Sequence, residues 1–201
     1  MIKLTAKHYK PVFQTNRREW PKYSTQILNI ASQNCKATST RNIGSIKELW
    51  LEMRQSGIRG TLKNWTNFYN SKKGETILDD AGKKLYQMIL KMGVINIDEE
   101  MCIDYVKETV YNKTHMGLAG EEMAVEVVAD YFKLNYRFSN AEEEKEGIDA
   151  WIGDVPVQVK KHDGVFKSHV RTHVDYDKTL VVTYEEKKKI CYIHNPEKMP
   201  R

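Results

Sequence analysis

The sequence predicts an α/β protein in two parts, a helical part over residues 1–116 and a part with strands over residues 117–201. Two observations support this prediction. In the first part apolar residues recur every three or four positions, as on the buried side of an amphipathic helix. In the second part short runs alternate between apolar and polar residues, as in a strand with one buried face.

Helices are expected through the first part after an irregular start over residues 1–23, where Pro11 and Pro21 interrupt the pattern. Ser24 or Thr25 is suited to cap the first helix, because either side chain accepts a hydrogen bond from a free N–H group of the first turn. Further helices are predicted from Ser45 to about Gln55, from Thr61 onward, and over roughly residues 75–92 and 98–112.

Charge is distributed unevenly along the chain. Residues 1–74 contain nine lysines and five arginines but only three acidic residues, a net charge of +11, whereas the remaining residues carry −6. A basic segment of this kind is typical of a protein that binds a polyanion such as nucleic acid. A basic surface without a ligand is the alternative, which the charge alone leaves open.

Composition argues against several other classes. Charged residues make up 29% of the chain and no run approaches 18 apolar residues, so neither a disordered chain nor a membrane protein is expected. The first residues lack the apolar core of a signal peptide. The cysteines are three and far apart, which implies neither a disulfide framework nor a zinc cluster. We therefore expect a cytoplasmic protein.

In the second part a helix is expected from Gly117 to about Lys133, followed by strands. The last two strands flank a charged turn and form a predicted hairpin. The strands are predicted at Tyr136–Phe138, Ile148–Ile152, Val155–Lys160, Leu180–Tyr184 and Lys189–Ile193.

Another hairpin is predicted around Gly153 and Asp154, a pair suited to a two-residue turn with glycine first. With this turn, the numbers of paired residues sum to 307, so Asp149 lies opposite Gln158. Alternation assigns Ile148, Ala150, Ile152, Val155, Val157 and Val159 to the core face, and Asp149, Trp151, Pro156, Gln158 and Lys160 to the polar face. A carboxylate, an amide and an ammonium group then lie within about 5–8 Å of one another.

A second carboxylate is predicted to approach this face from the preceding helix. Glu121 heads the apolar stripe of that helix, whereas Glu122 and Glu126 fall on its polar side. We expect Glu121 to point towards the sheet, where a charge needs a partner. The stripe consists of Ala124, Val125, Val128, Tyr131 and Phe132.

These groups suit a hard divalent cation such as Mg2+, which binds carboxylate, carbonyl and water oxygens. Asp149 and Glu121 supply carboxylates, and the Gln158 amide or the Val159 carbonyl supplies a neutral oxygen. The cation would bind a phosphate oxygen and lower the pKa of a bound water. Lys160 would orient that water and stabilise charge on phosphorus. A surface Asp–Lys pair beside a capping glutamate is the alternative interpretation.

Three segments together resemble the PD-(D/E)xK nuclease superfamily: Gly120-Glu121 with Ala124, Gly147-Ile148-Asp149, and Val157-Gln158-Val159-Lys160. The resemblance implies a mixed sheet flanked by helices and DNA cleavage with Mg2+, for which Mn2+ is expected to substitute. It also implies catalytic roles for Glu121, Asp149, Gln158 and Lys160. Gln158 departs from the acidic residue of most members, which removes one charge near the cation.

Residues 21–34, Thr40-Arg-Asn-Ile-Gly44 and residues 46–49 are similar to the MjaI family of type II restriction endonucleases. This resemblance implies cleavage of double-stranded DNA at the palindrome CTAG and a cognate DNA methyltransferase as a genetic partner. A palindromic site is most simply cut by a homodimer, because the symmetry of the protein then matches that of the DNA. Residues 1–116 would serve recognition and dimerisation, and residues 117–201 catalysis.

Base recognition is predicted at the end of the first helix and in the loop after it, where no acidic residue occurs. Side chains of these types pair with adenine and guanine edges. The predicted DNA-binding residues are Gln33, Asn34, Lys36, Thr38, Thr40, Arg41, Asn42, Lys161 and His162. A mobile loop that contacts only phosphates is the alternative for the N-terminal group, and an ordinary loop histidine is the alternative for His162.

Two other functions stay open at this stage. A repair, junction-resolving or Mrr-like nuclease with the same core would cleave according to DNA structure or modification. A DNA-binding protein with a decayed nuclease site would bind without cutting. Retention of Asp149, Glu121 and Lys160 argues against decay.

Overall fold

A computed structural model describes residues 1–5, 19–162, 177–185 and 188–199 of the chain. The chain divides into two compact units, Pro11–Leu118 and a second unit that joins Met1–Lys10 to Ala119–Arg201. The first residues therefore group with the C-terminal part of the chain, unlike in the predicted division at residue 116.

The first unit is helical in its described residues. Its helices are α1 (Ser24–Cys35), α2 (Thr40–Ile43), α3 (Ile46–Gln55), α4 (Leu62–Lys73), α5 (Ile77–Lys91) and α6 (Glu99–Lys107). A π-helical turn, Glu108–Lys113, leads from α6 into α7 (Thr114–Phe132). Across the described ranges, no helix combines the length and the apolar composition that crossing a membrane requires.

The predicted starts of α3 and α4 are confirmed, whereas α7 begins at Thr114 and not at the predicted Gly117. Ser45 and Thr61 occupy the positions before α3 and α4, and the Thr61 hydroxyl accepts a 3.2 Å hydrogen bond from the Asn64 backbone N–H. α1 begins at Ser24, where the sequence suggested a cap, but the capping position is Tyr23 in a left-handed conformation. The predicted helix over 98–112 is wrong in one respect, because it continues through the π-helical turn into α7.

Aromatic side chains form the core of this unit. Trp65 and Tyr69 on α4 are fully buried. The Trp65 indole N–H donates to the carbonyl oxygen of Val110 (3.1 Å), and the Tyr69 hydroxyl donates to that of Ile43 (2.7 Å). Each polar end thus has the partner that a buried aromatic residue requires.

The second unit is built on a six-stranded mixed sheet. Its strands are β1 (Ile2–Thr5), β2 (Tyr136–Phe138), β3 (Ala150–Ile152), β4 (Val155–Lys161), β5 (Leu180–Glu185) and β6 (Ile190–Ile193), in the order β1-β6-β5-β4-β3-β2. β4 and β5 are parallel, and the other neighbours are antiparallel. The α/β class and the mixed sheet are confirmed. The irregular start expected over residues 1–23 is wrong at Ile2–Thr5, since β1 pairs with β6, and residues 6–18 of that stretch lie outside the described residues.

The register of the β3–β4 hairpin is the predicted one within its ladder, which ends at Ala150 and Val157 and does not include the predicted pair of Asp149 and Gln158. Ala150 pairs with Val157 and Ile152 with Val155, so the paired numbers sum to 307. Gly153 at the turn has a φ of +57°, a left-handed conformation that glycine adopts without a steric cost. The predicted core face is buried at Ala150, Ile152, Val157 and Val159.

α7 packs on the sheet through Gly120. A Cβ atom at Gly120 would lie 2.3 Å from a ring carbon of Tyr184 on β5, and that ring is itself buried. Only glycine permits this close approach. Residues Met123, Ala124, Val125, Val128 and Ala129 of α7 then join the core of the sheet.

Candidate active site

The site is organised around the Asp149 carboxylate, which lies just before β3. Its Oδ2 accepts a 2.8 Å hydrogen bond from the backbone N–H of Val159 on β4. The Asp149 backbone N–H donates to the carbonyl oxygen of Val157 (2.9 Å). Side chain and main chain of Asp149 are therefore both fixed to β4, and the carboxylate is 20% exposed.

β4 extends beyond the strand that pairs with it on this side. Its ladder with β3 covers Val155–Val157, whereas its ladder with β5 continues to Lys161. The N–H and C=O groups of one strand residue point to the same side. The Val159 carbonyl is therefore directed to the edge where Asp149 lies, and its role as a neutral ligand stays a prediction.

Lys160 completes this edge. Its Nζ lies 3.4 Å from Asp149 Oδ2, the same oxygen that accepts from Val159. The lysine side chain is 40% exposed. Within the described residues, both side-chain contacts of Asp149 use Oδ2, so the second carboxylate oxygen is directed away from these two donors.

Gln158 lies on the predicted polar face but is buried, with 6% of its surface exposed. It pairs in register with Val181 of β5, which is fully buried. A Cβ atom at Gly147 would lie 3.4 Å from the Gln158 amide nitrogen, so this side chain packs against the Gly147 backbone. The face that alternation assigned as polar is covered at this point.

The two glutamates at the start of the sheet-facing part of α7, Glu121 and Glu122, differ in burial in the opposite sense to the prediction from the sequence. Glu122 is 4% exposed, whereas Glu121 is partly exposed. Glu122 was assigned to the polar side of the helix, and that assignment is wrong. Tyr131, assigned to the apolar stripe, is 51% exposed. The role of Glu121 as a ligand stays a prediction.

The acidic segment before β3 is structured. It forms α8 (Ala141–Lys145) with a capping box between Asn140 and Glu143. Arg137 binds both oxygens of Glu143, at 2.9 and 2.7 Å. Hydrogen bonds lower the pKa of Glu143 to about 2, and those from Arg137 have the largest effect. The Ile148 backbone N–H donates to the Glu143 carbonyl oxygen (3.1 Å), so this segment fixes the residue that precedes Asp149.

His162 lies two residues after Lys160 and forms a cluster with Tyr192 and Glu185. Its ring centroid is 5.0 Å from that of Tyr192, and its Nε2 is 4.0 Å from Glu185 Oε1. Glu185 accepts from Lys188 and from the Tyr192 hydroxyl, which lowers the pKa of Glu185. Glu185 and Tyr192 were not predicted from the sequence, although the register of the predicted β5–β6 hairpin was a usable signal.

The N-terminal group of predicted DNA-binding residues lies in the helical unit. Gln33, Asn34, Lys36, Thr40 and Arg41 are exposed, while Thr38 and Asn42 are partly buried. The Asn42 amide donates to the Lys36 carbonyl oxygen (2.6 Å) and the Asn34 amide to that of Ile30 (2.9 Å). Lys161 on β4 is also exposed.

Among the described residues, no three His, Cys, Asp or Glu side chains cluster as a metal site. The predicted ligand set differs from such a cluster, because it combines two carboxylates with an amide and a backbone carbonyl. One or two carboxylates with substrate phosphate are what Mg2+ commonly uses. The oxygens at the β4 edge fit that chemistry.

Comparison with known proteins defines the class as restriction endonuclease. The family model described as MjaI restriction endonuclease matches residues 25–193, and the chain belongs to that family. It is therefore a type II site-specific deoxyribonuclease.

Two relatives have type II restriction enzyme names. MthZI of Methanothermobacter thermautotrophicus is 34% identical over 144 residues, which cover 71% of this chain and 69% of the relative. MjaI of Methanocaldococcus jannaschii is 28% identical over 202 residues, which cover 94% of this chain and 86% of the relative. No solved structure shows a significant match.

Proposed function

We propose that this restriction endonuclease cleaves both strands of a short palindrome, with CTAG as the expected site, in a reaction that depends on Mg2+. The observation that supports the proposal best is the convergence of three groups at one edge of β4. The Asp149 carboxylate, the Val159 main chain and the Lys160 ammonium group meet there within 3.4 Å. The sheet and α7 would then form a PD-(D/E)xK core.

The donor set supports Mg2+ as the metal. Asp149 and Glu121 would supply charged oxygens, and the Val159 carbonyl and the Gln158 amide neutral ones. Mg2+ prefers hard oxygen ligands and keeps positions for water and phosphate. When bound, it supplies charge neutralisation at the scissile phosphate and activation of water. Mn2+, which also accepts oxygen ligands, is expected to substitute.

The chain's own residues would orient the reaction. The Val159 N–H fixes the Asp149 carboxylate, so this ligand needs no rearrangement when DNA binds. Lys160 lies beside that carboxylate with a partly exposed ammonium group. It would hold the attacking water by a hydrogen bond and stabilise the negative charge that develops on the phosphate oxygens.

The basic N-terminal segment supports the proposed DNA contacts. Its net charge of +11 favours phosphate binding, which supplies affinity without sequence preference. Homodimerisation follows from a palindromic target, because a two-fold protein presents the same residues to both half-sites. The proposed methyltransferase acts on the host genome and not as a bound partner.

A plasmid digest tests the function directly. Purified protein is incubated with plasmid DNA in Mg2+, in Mn2+ and in EDTA, and the fragment ends are sequenced. Discrete fragments that share one palindrome, with metal and not with EDTA, are expected. Cleavage governed by junctions or by base modification would favour the repair-type alternative, and binding without cleavage would favour a decayed site.

A further inference from the structure

We infer that α1 is the helix that contacts base edges in the major groove, and that Gln33 and Ile30 on its exposed face determine sequence preference. The inference rests on the proposed function and names the element responsible for its specificity. The sequence predicted base contacts only at the end of α1 and in the following loop.

The exposed face of α1 is unusual in its chemistry. It consists of Gln26, Asn29, Ile30, Gln33 and Asn34, which occupy an arc of about 140° on the helix. Four of the five are amides, and α1 contains no charged residue. A solvated helix face in a basic segment normally carries lysine, arginine or glutamate.

Stability does not explain this choice of residues. Asparagine and the β-branched isoleucine are weaker helix formers than lysine or glutamate. Ile30 also leaves half of its surface exposed. These side chains do suit a major groove, in which amides pair with adenine N6 and N7 and apolar groups contact the thymine methyl.

Cationic residues lie beyond both ends of this face. Lys22 precedes α1, and Lys36 and Arg41 follow it, all three exposed. Such groups can contact phosphates on either side of a groove, which fixes register without sequence preference. From Gln26 to Gln33 the helix rises about 10 Å, or roughly three base-pair steps. That length suits a short recognition site.

Gln33 is the member best placed for a base contact. Across the described residues its side chain makes no hydrogen bond, whereas Asn34 donates to Ile30 and Asn29 accepts a long bond from Tyr105 (3.4 Å). The loop after α1 is braced by the hydrogen bond from Asn42 to Lys36. This loop is ordered by its own contacts, which argues against the interpretation as a mobile phosphate-binding loop.

Base analogues test the two contacts. The target identified from the sequenced fragment ends is prepared with 7-deazaadenine, which lacks N7, or with uracil, which lacks the thymine methyl. We expect Gln33→Ala to reduce cleavage of the normal target roughly 5- to 100-fold. Replacing adenine by 7-deazaadenine should reduce cleavage by this variant only slightly further, because its contact with N7 is already lost. Likewise, replacing thymine by uracil should reduce cleavage by Ile30→Ala only slightly further.

The matched control is Gln87→Ala, an exposed amide on α5. It should leave both the rate and the analogue effects unchanged, and equal melting temperatures will show that all variants fold. The inference would be overturned if the reductions in cleavage rate caused by the variant and by the analogue simply multiplied. Equal reductions in cleavage rate on every duplex would overturn it as well. If Ile30→Ala failed to dimerise, and its effect on cleavage were independent of the uracil substitution, this face would instead be a subunit interface. If wild-type protein cuts no defined site, the proposed function fails first.

Discussion

The Asp149 carboxylate accepts a hydrogen bond of 2.8 Å from the backbone N–H of Val159. Val159 lies beyond the ladder that joins β4 to β3. The Asp149 side chain therefore accepts the hydrogen bond that a partner strand would otherwise accept. The bond satisfies a main-chain donor and fixes a carboxylate in one step. It also directs one carboxylate oxygen to the strand and the other away from it.

Replacing Asp149 by asparagine should separate catalysis from binding. The asparagine oxygen can still accept from Val159, so the fold is retained, but the charge for a cation is lost. Cleavage in Mg2+ should fall by at least roughly 100-fold, the order expected for a group that acts on transition-state charge. DNA affinity should stay within a few-fold, because phosphate contacts dominate it. Single-turnover cleavage and gel-shift titration measure the two.

Asp154→Asn at the exposed hairpin turn is the matched control and should cleave like the wild type. Full activity of Asp149→Asn would remove Asp149 from the site.

Glu121→Gln and Glu122→Gln should differ in cleavage. Glu121 is the proposed ligand and should lose most activity, while Glu122→Gln should stay within a few-fold of wild type. The structure makes this comparison sharp, because Glu122 is the more buried of the two. Rates at saturating Mg2+ and melting temperatures are measured for both. A larger loss of cleavage in folded Glu122→Gln would transfer the ligand role to Glu122.

Gly120→Ala should destabilise the protein by about 1–3 kcal/mol, as overpacking of a core does. The added methyl group would lie 2.3 Å from the buried Tyr184 ring, which must then move. Gly117→Ala in the same helix is the control, since its Cβ would meet no atom within 4 Å. That variant should be neutral or slightly stabilised. Urea unfolding gives both free energies, and equal values would contradict the close packing of α7.

The Glu143 carboxylate should make stability depend on acid pH. Its pKa is lowered to about 2, first by the hydrogen bonds from Arg137. A lowered pKa stabilises the folded state above the unfolded value of about 4.3, and this contribution is lost as the pH falls towards 2. The difference in free energy of unfolding between wild type and Glu143→Gln should therefore shrink over that range.

Thermal unfolding at intervals from pH 6 to 2.5 measures this difference. Glu142→Gln on the same short helix is the control, because Glu142 is exposed. A difference for Glu143→Gln that is constant with pH would show that Arg137 does not bind the charged form preferentially.

The local features of the fold could be predicted from sequence. The register of the β3–β4 hairpin depends on a two-residue turn at Gly153 and on alternation with period two, and a slip by one residue would expose the whole core face. The start of α4 depends on Thr61, whose hydroxyl caps the helix within its first turn, and Ser45 marks the start of α3 without a side-chain capping hydrogen bond. Asp149 and Lys160 were found because the hairpin itself brings them together.

Features that depend on contacts distant in sequence were decided by the tertiary structure. β1 has only four residues, and its partner β6 lies at the other end of the chain. Glu122 was misassigned because Met123, Ala124 and Val125 are all buried, so α7 is enclosed on more than one side and periodicity cannot identify a single inner face. Gln158 is buried with its side chain against the Gly147 backbone, a contact that alternation along β4 does not specify. Its strand pairs in parallel with β5, and parallel neighbours are joined by long connections whose register no local turn sets.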